Sequence, residues 1–263
     1  MKNILILLFL CCTTWLVAQK NNSAIQFPHT HSHHGTVCGI GEPMPGLVIP
    51  PPTSNRNTSQ NTVVFQVNYG EGVPLSAQNA FERTTAILSN LFNSSIPITV
   101  NVEASDELEA GTLAGASAGT FLRNFSNAPV RDAWYPIALA EKLEQQEFNA
   151  NSTQVPFDIE VTYNSRVNWN FVSTNVGSNQ FDFVTVMLHE LMHGLGFISL
   201  DNVNENTNVG GLRLQNFPAA YSTFLENGLG ENLLESFDDP SICLLYTSPS
   251  PRDQRGSRMP SSA

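Results

Sequence analysis

Cysteine is scarce. The chain has 4 in 263 residues, and Cys11 and Cys12 fall inside an N-terminal apolar run. Cys243 lies in a tail rich in Pro and Ser, so Cys38 stands alone. A disulfide framework is therefore unsupported. Cys38 reads as an inert or separately partnered thiol, or as a thiolate held over a metal by a pro-segment. Basic charge is scarce too. Lys and Arg number 12 against 23 Asp and Glu, a net charge of −11. Such a balance repels nucleic acid and anionic membrane surfaces and favours solubility. Charged residues make up only 13% of the chain, as suits a secreted protein. The apolar run near the N-terminus is too short for the ~20 residues of a membrane-spanning helix, so stable membrane insertion is not expected. No internal repeat is present. The glycine-rich stretch GTLAGASAGTF lacks the glycine spacing and the lysine of a phosphate-binding loop, and reads as a surface loop.

What is there divides the chain into four parts. Residues 1–18 read as a signal peptide, with Lys2, the apolar ILILLFL and a Val17-Ala18 cleavage site before Gln19. A secreted location, extracellular or at the cell surface, follows. Residues 19–60 lack periodicity and read as a linker or pro-segment. They include PHTHSHHG, where His29, His31, His33 and His34 form a tract of weak metal affinity. Residues 61–242 have the length of one domain. The tail, residues 243–263, is expected to be foreign. CLLYTSPSPRD and SRMPSSA back-translate, in one frame, to two parts of a transposon-based sequencing adapter, so the native chain would be cut near Ile242. Without leader and tail, 8 basic and 22 acidic residues remain, a net charge of −14.

Order is expected from Thr62 onward. VVFQVNY alternates Val63, Phe65, Val67 and Tyr69 as a half-buried strand. Ser76 is placed to cap a helix running to about Phe92, with Ala77, Phe81, Thr84, Leu88 and Leu91 inward. PITVNVEA reads as a strand through Ile98, Val100 and Val102, and WYPIALAEKLEQQ as a helix with Pro136 in its first turn. DIEVTYNS alternates Ile159, Val161 and Tyr163. Residues 201–216 read as a loop, and FPAAYSTFLENG as a short helix ended by Gly228. The fold class expected from this order is α+β, a twisted mixed sheet with a buried helix beneath it.

That helix is FDFVTVMLHELMHGLGF, residues 181–197, apolar nearly all round. Ser178 and Asn179 are candidate N-caps, Asp182 suits the positive end of the helix dipole, and Gly194 and Gly196 are its stop signals. It carries His189, Glu190 and His193 as H-E-x-x-H. Residues four apart share a helix face, so both imidazoles can reach one metal ion. Zinc takes nitrogen ligands at about 2.0–2.1 Å and leaves a position open for water, whose pKa it lowers to about 7. Glu190, one residue round, is placed to take the proton of that water as general base.

HELMHGLGF, with WYPIALAEKL, DIEVTYNS and FDFVTVMLHE, resembles secreted bacterial zinc metallopeptidases of the metzincin-like kind, over residues 62–230. The resemblance implies a metzincin-like twisted sheet and a zinc endopeptidase whose protein or peptide substrate lies extended along an edge strand. DIEVTYNS is the candidate for that strand, since strand addition supplies backbone hydrogen bonds. One departure matters. The metzincin pattern ends H-x-x-G-x-x-H or in Asp; Gly196 is in place, but the last position is Ser199. No histidine follows His193. Asp201, Glu205, Glu226 and a residue outside this sequence all stay open as third ligand. The rival reading is a catalytically inactive relative serving as an adhesin or binding module. Oligomeric state and peptide specificity are not encoded in any motif.

Overall fold

The structure is a computed structural model and describes residues 23–26, 36–39, 62–109, 111–150, 152–204, 206–227, 229–241 and 244. The signal-peptide stretch, the histidine tract, Glu205, Gly228 and almost all of the tail lie outside the described residues.

The chain order opens with β1 (Ser23–Gln26), β2 (Thr36–Gly39), β3 (Phe65–Tyr69) and α1 (Leu75–Leu91). It continues through β4 (Ile98–Ser105), β5 (Thr112–Ala118), β6 (Thr120–Arg123), β7 (Tyr135–Pro136) and α2 (Ile137–Glu144). Then come β8 (Ile159–Asn164), β9 (Trp169–Asn170), β10 (Phe181–Asp182) and α3 (Phe183–Gly194). Four short strands follow, β11 (Asn202–Asn204), β12 (Val209–Gly211), β13 (Arg213–Leu214) and β14 (Phe217–Pro218). A 3₁₀ turn (Tyr221–Phe224) and α4 (Leu233–Ser236) complete the order. This is a mixed α+β protein with several small sheets around one larger one.

The larger sheet has the order β2-β5-β8-β4-β3. β3, β4 and β8 run parallel, and β5 is antiparallel to both β8 and β2. Alternation explains the core. Ile98, Val100 and Val102 of β4 and Ile159, Val161 and Tyr163 of β8 are buried, as their period of two requires. Their apolar face meets Ala77, Phe81 and Leu88 of α1 and Phe183, Met187 and Leu191 of α3 in one cluster. A second layer, β1-β6-β7, packs with α2 around Leu122, Phe125, Tyr135 and Ile137.

Several sequence expectations are corrected. GTLAGASAGTF is not a loop but β5 and the start of β6. Its weak strand propensity is overridden by tertiary packing, because small side chains are what fit beneath a helix. Ala114 and Ala116 belong to the same buried cluster as α3. DIEVTYNS is not an edge strand: β8 lies between β5 and β4. Within residues 19–60, Ser23–Gln26 and Thr36–Gly39 are strands, paired to β6 and β5. Residues 201–216 contain strands, not only loop. Gln215 and Asn216, both with positive φ, join β13 to β14, as a two-residue hairpin turn demands. FPAAYSTFLENG forms β14 and a 3₁₀ turn in place of a helix. Its backbone is claimed by pairing: Trp134 N–H donates to the Pro218 carbonyl and Ala220 N–H to that of Trp134, both at 2.8 Å. Two caps also move. Pro74, not Ser76, is the N-cap of α1, and Asp182, not Ser178 or Asn179, that of α3. No helix among the described residues is long and apolar enough to cross a membrane.

Gly194 sets how close α3 lies to β8. A Cβ there would stand 2.6 Å from Ile159 Cγ2 and 2.7 Å from its Cδ1. Ile159 is fully buried, so its side chain has nowhere to retreat. Gly194→Ala should therefore cost about 1–3 kcal/mol, the usual range for overpacking a core. Urea unfolding of the two proteins measures it; equal midpoints would show that α3 can lift away freely.

Candidate metal centre

Helix α3 is fixed at both ends before its histidines matter. At its start, the Asp182 carboxylate accepts the Thr185 N–H at 3.1 Å, which satisfies one of the free donors of the first turn. Phe183 then enters an aromatic cluster, with ring centroids 5.1 Å from Tyr163, 5.2 Å from Trp169 and 5.0 Å from Phe171. At its end, Gly196 takes φ +127°, a region that favours glycine. Its N–H donates to the His193 carbonyl at 3.1 Å, and the Phe197 N–H to that of Met192 at 2.9 Å. This pair of bonds is a Schellman cap made by Gly196, as expected, whereas Gly194, also expected as a stop, is the last residue of the helix itself.

The cap has a chemical product. It turns the Phe197 carbonyl back over the last turn, 2.7 Å from His193 Nδ1. A carbonyl can only accept, so Nδ1 carries the hydrogen and Nε2 of the neutral ring keeps its lone pair. That Nε2 stands 2.9 Å from His189 Nε2. The rings are nearly perpendicular, at 87°, with centroids 4.5 Å apart. The structure thus brings His189 and His193 to one point, as their spacing implies. Nitrogens on one tetrahedral zinc, at ~2.0–2.1 Å from it, would lie roughly 3.3 Å apart. The observed separation is within a small side-chain rotation of that, and His189 is only half-buried. The donor set fits zinc. His193 is buried and Glu190, beside them, is 0% exposed.

A third ligand is not supplied by the expected residues. Among the described residues, no Asp, Glu, His or Cys places a ligand atom within 4.8 Å of both imidazoles. Asp201 is outside that reach, and Glu226 is exposed, bridged through its backbone to Asn232. Ser199 is buried, and its hydroxyl accepts the Asp201 N–H at 3.2 Å and lies 3.4 Å from that of Ser222. It is turned to its own neighbours, in keeping with a poor ligand. What the sequence reading missed is the Phe197 carbonyl; the signal was G-L-G-F, whose second glycine makes the turn.

A second titratable group, with no motif to announce it, is Glu141, Glu147 and Asp158. Burial and then the charge of Asp158 push the Glu141 carboxyl up to about 8, while burial raises Asp158 and Glu147 as well.

The arrangement defines an α+β protein with a two-histidine centre on a buried, glycine-capped helix. The chain belongs to the SPBPB7E8-like family, whose model matches residues 48–208, a span that holds the H-E-x-x-H helix. No curated protein and no solved structure matches it.

The carboxyl cluster gives a pH prediction for protein stripped of metal by chelator. Glu141 binds its proton more tightly when folded, near 8 against an ordinary 4.5. Where the folded state holds more protons than the unfolded one, stability falls as pH rises. The contribution is complete below about pH 4.5 and is lost as pH climbs through about 8. Thermal melts in chelator should drop across that window, and Glu141→Gln should flatten the drop. A wild-type melt that rises with pH there would contradict the assignment.

Proposed function

We propose that this protein is a secreted zinc-dependent endopeptidase of metzincin-like architecture. The observation that carries the reading is the pairing of His189 and His193 Nε2 at 2.9 Å, with the His193 tautomer held by Phe197. A purely structural helix has no need of two imidazole nitrogens brought to one point. A carbonyl that accepts from the far ring nitrogen and so orients the imidazole is usual for metal-ligating histidines. A mixed sheet with α3 packed on it also suits that architecture.

In this reading His189 and His193 hold zinc, which when bound supplies Lewis acidity and lowers the pKa of a coordinated water. Glu190 takes the proton from the attacking water and hands it to the leaving amine. Its burial removes competing solvent and strengthens its field on the reacting atoms. The peptide would pair with β5, which runs at the side of the sheet nearest β2, rather than with the enclosed β8. In the present structure that flank of β5 is taken by Thr36–Gly39, consistent with a pro-segment. The rival reading, a binding module without turnover, draws on the lack of a third ligand among the described residues.

Glu190→Gln separates the two. It keeps side-chain size but cannot accept a proton. The variant should bind one zinc like wild type while cleavage of a quenched peptide falls about 10²–10⁴-fold. His189→Ala and His193→Ala should lose the zinc. Zinc content by mass spectrometry on protein from the complete gene decides it: no bound zinc in that wild type sinks the reading. Removal of residues 1–60 should raise cleavage, and unchanged rates would show that β2 does not shield the site.

A further inference from the structure

We propose that the rings of Phe197, Tyr221 and Phe224 form an aromatic shelf that selects a large apolar side chain flanking the bond to be cut. The peptides taken are then those with Phe, Tyr, Leu or Met at that point. The inference rests on the endopeptidase reading above and adds the substrate class to it. The shelf begins at the histidine centre itself. The Phe197 carbonyl stands 2.7 Å from His193 Nδ1. One imidazole and one hydrogen bond therefore separate residue 197 from the point where the two Nε2 atoms meet. An extended peptide advances about 3.3 Å per residue, so a scissile carbonyl at that point has its flanking side chains close by. The Phe197 ring reaching out and a long side chain reaching in close the gap; an alanine methyl leaves it open.

Position 197 has no structural need of a ring. Its main chain supplies the bond to His193, and much of its side chain faces solvent. A single exposed apolar residue needs no explanation, but here three aromatics gather. The Phe197 ring lies against that of Tyr221, with centroids 4.7 Å apart and planes tilted by 47°. Tyr221 opens the 3₁₀ turn Tyr221–Phe224. Side chains three apart eclipse one another in such a turn, so Phe224 stands on the same side as Tyr221. Phe224 is 76% exposed.

The shelf is also held in place, as a surface that discriminates must be. Tyr221 is half-buried and packs on the cluster of Leu212, Leu225 and Leu233. The turn that carries it is tied to Trp134 through the Ala220 N–H. Within the turn the Thr223 hydroxyl donates to the Ala220 carbonyl at 2.7 Å, and the Asn232 amide donates to the Thr223 carbonyl at 2.8 Å. Aromatic side chains give large contact area at low cost in conformational entropy, because only two torsions need fixing. A carboxylate laid on the same rings would give up water and gain no partner from them.

The test uses protein from the complete gene, loaded with zinc, and quenched peptides that differ only in the residues flanking the scissile bond: Phe, Ala or Asp. Wild type should cleave the Phe peptide with a kcat/KM about tenfold or more above that for the Ala peptide, the weight of a few methylenes in an apolar pocket. Phe197→Ala keeps the main-chain carbonyl, so zinc content should hold while the Phe-to-Ala ratio falls to near one. Phe197→Leu should restore part of the ratio. Phe224→Ala, at a position that contributes little to the core, should lower it too. Val172→Ala, an exposed apolar residue in the loop beside the start of α3, should keep the wild-type ratio. A wild type that cleaves all three peptides equally overturns the shelf and leaves the endopeptidase reading standing. An unchanged ratio in both Phe197→Ala and Phe224→Ala, or an equal fall in Val172→Ala, overturns it as well. A wild type that cleaves none of the peptides sinks the endopeptidase reading and the shelf with it.

Discussion

Everything at the histidine centre depends on how closely α3 lies against the sheet. Gly194 against Ile159 sets the distance, and Ala114 and Ala116 of β5 keep the floor beneath it low. A larger side chain at any of these points would lift the last turn of α3. That turn holds His193, and the Schellman cap that follows it holds the His193 ring by its Nδ1. Packing, capping and tautomer are therefore one chain of cause. Geometry at the two Nε2 atoms is inherited from van der Waals contact on the opposite side of the helix.

A second junction lies at Asp158. Its backbone N–H donates to Thr99 and its carbonyl accepts from Gly119, while its carboxylate holds Thr99 and Asn149. One residue thus ties β4, the turn between β5 and β6, and the loop after α2 to the start of β8. Burying a carboxylate at such a point is costly unless several donors meet it. The donors are there because three backbone segments converge, which a strand end at a sheet border allows.

The sequence made some of this legible. Period-two alternation marked β3, β4 and β8, and the apolar run around H-E-x-x-H marked α3 with its stop at Gly196. These signals are local, since the side chains that form them sit within one element. The misreadings share a cause. GTLAGASAGTF has strand-poor residues whose smallness serves a helix that arrives 65 or more residues later. Residues 217–220 look amphipathic, yet their backbone bonds go to Trp134. DIEVTYNS shows its own strand but not its neighbours, so its central place was invisible. The carboxylate cluster combines a helix, a loop and a strand with no fixed spacing. The imidazole pair was readable; the carbonyl that orients one of them was not, because it belongs to the main chain.

That last fact has a consequence for variation. The group that fixes the His193 tautomer is present in every amino acid that could stand at position 197. The Phe197 ring is 52% exposed and rests on Tyr221 at 4.7 Å, so it is free to serve the surface. Substitution there can retune what the surface touches without moving a proton on the imidazole. The constraint passes instead to position 196, where φ +127° admits little but glycine. A residue with no side chain thereby decides which nitrogen of His193, three positions back, is turned toward His189.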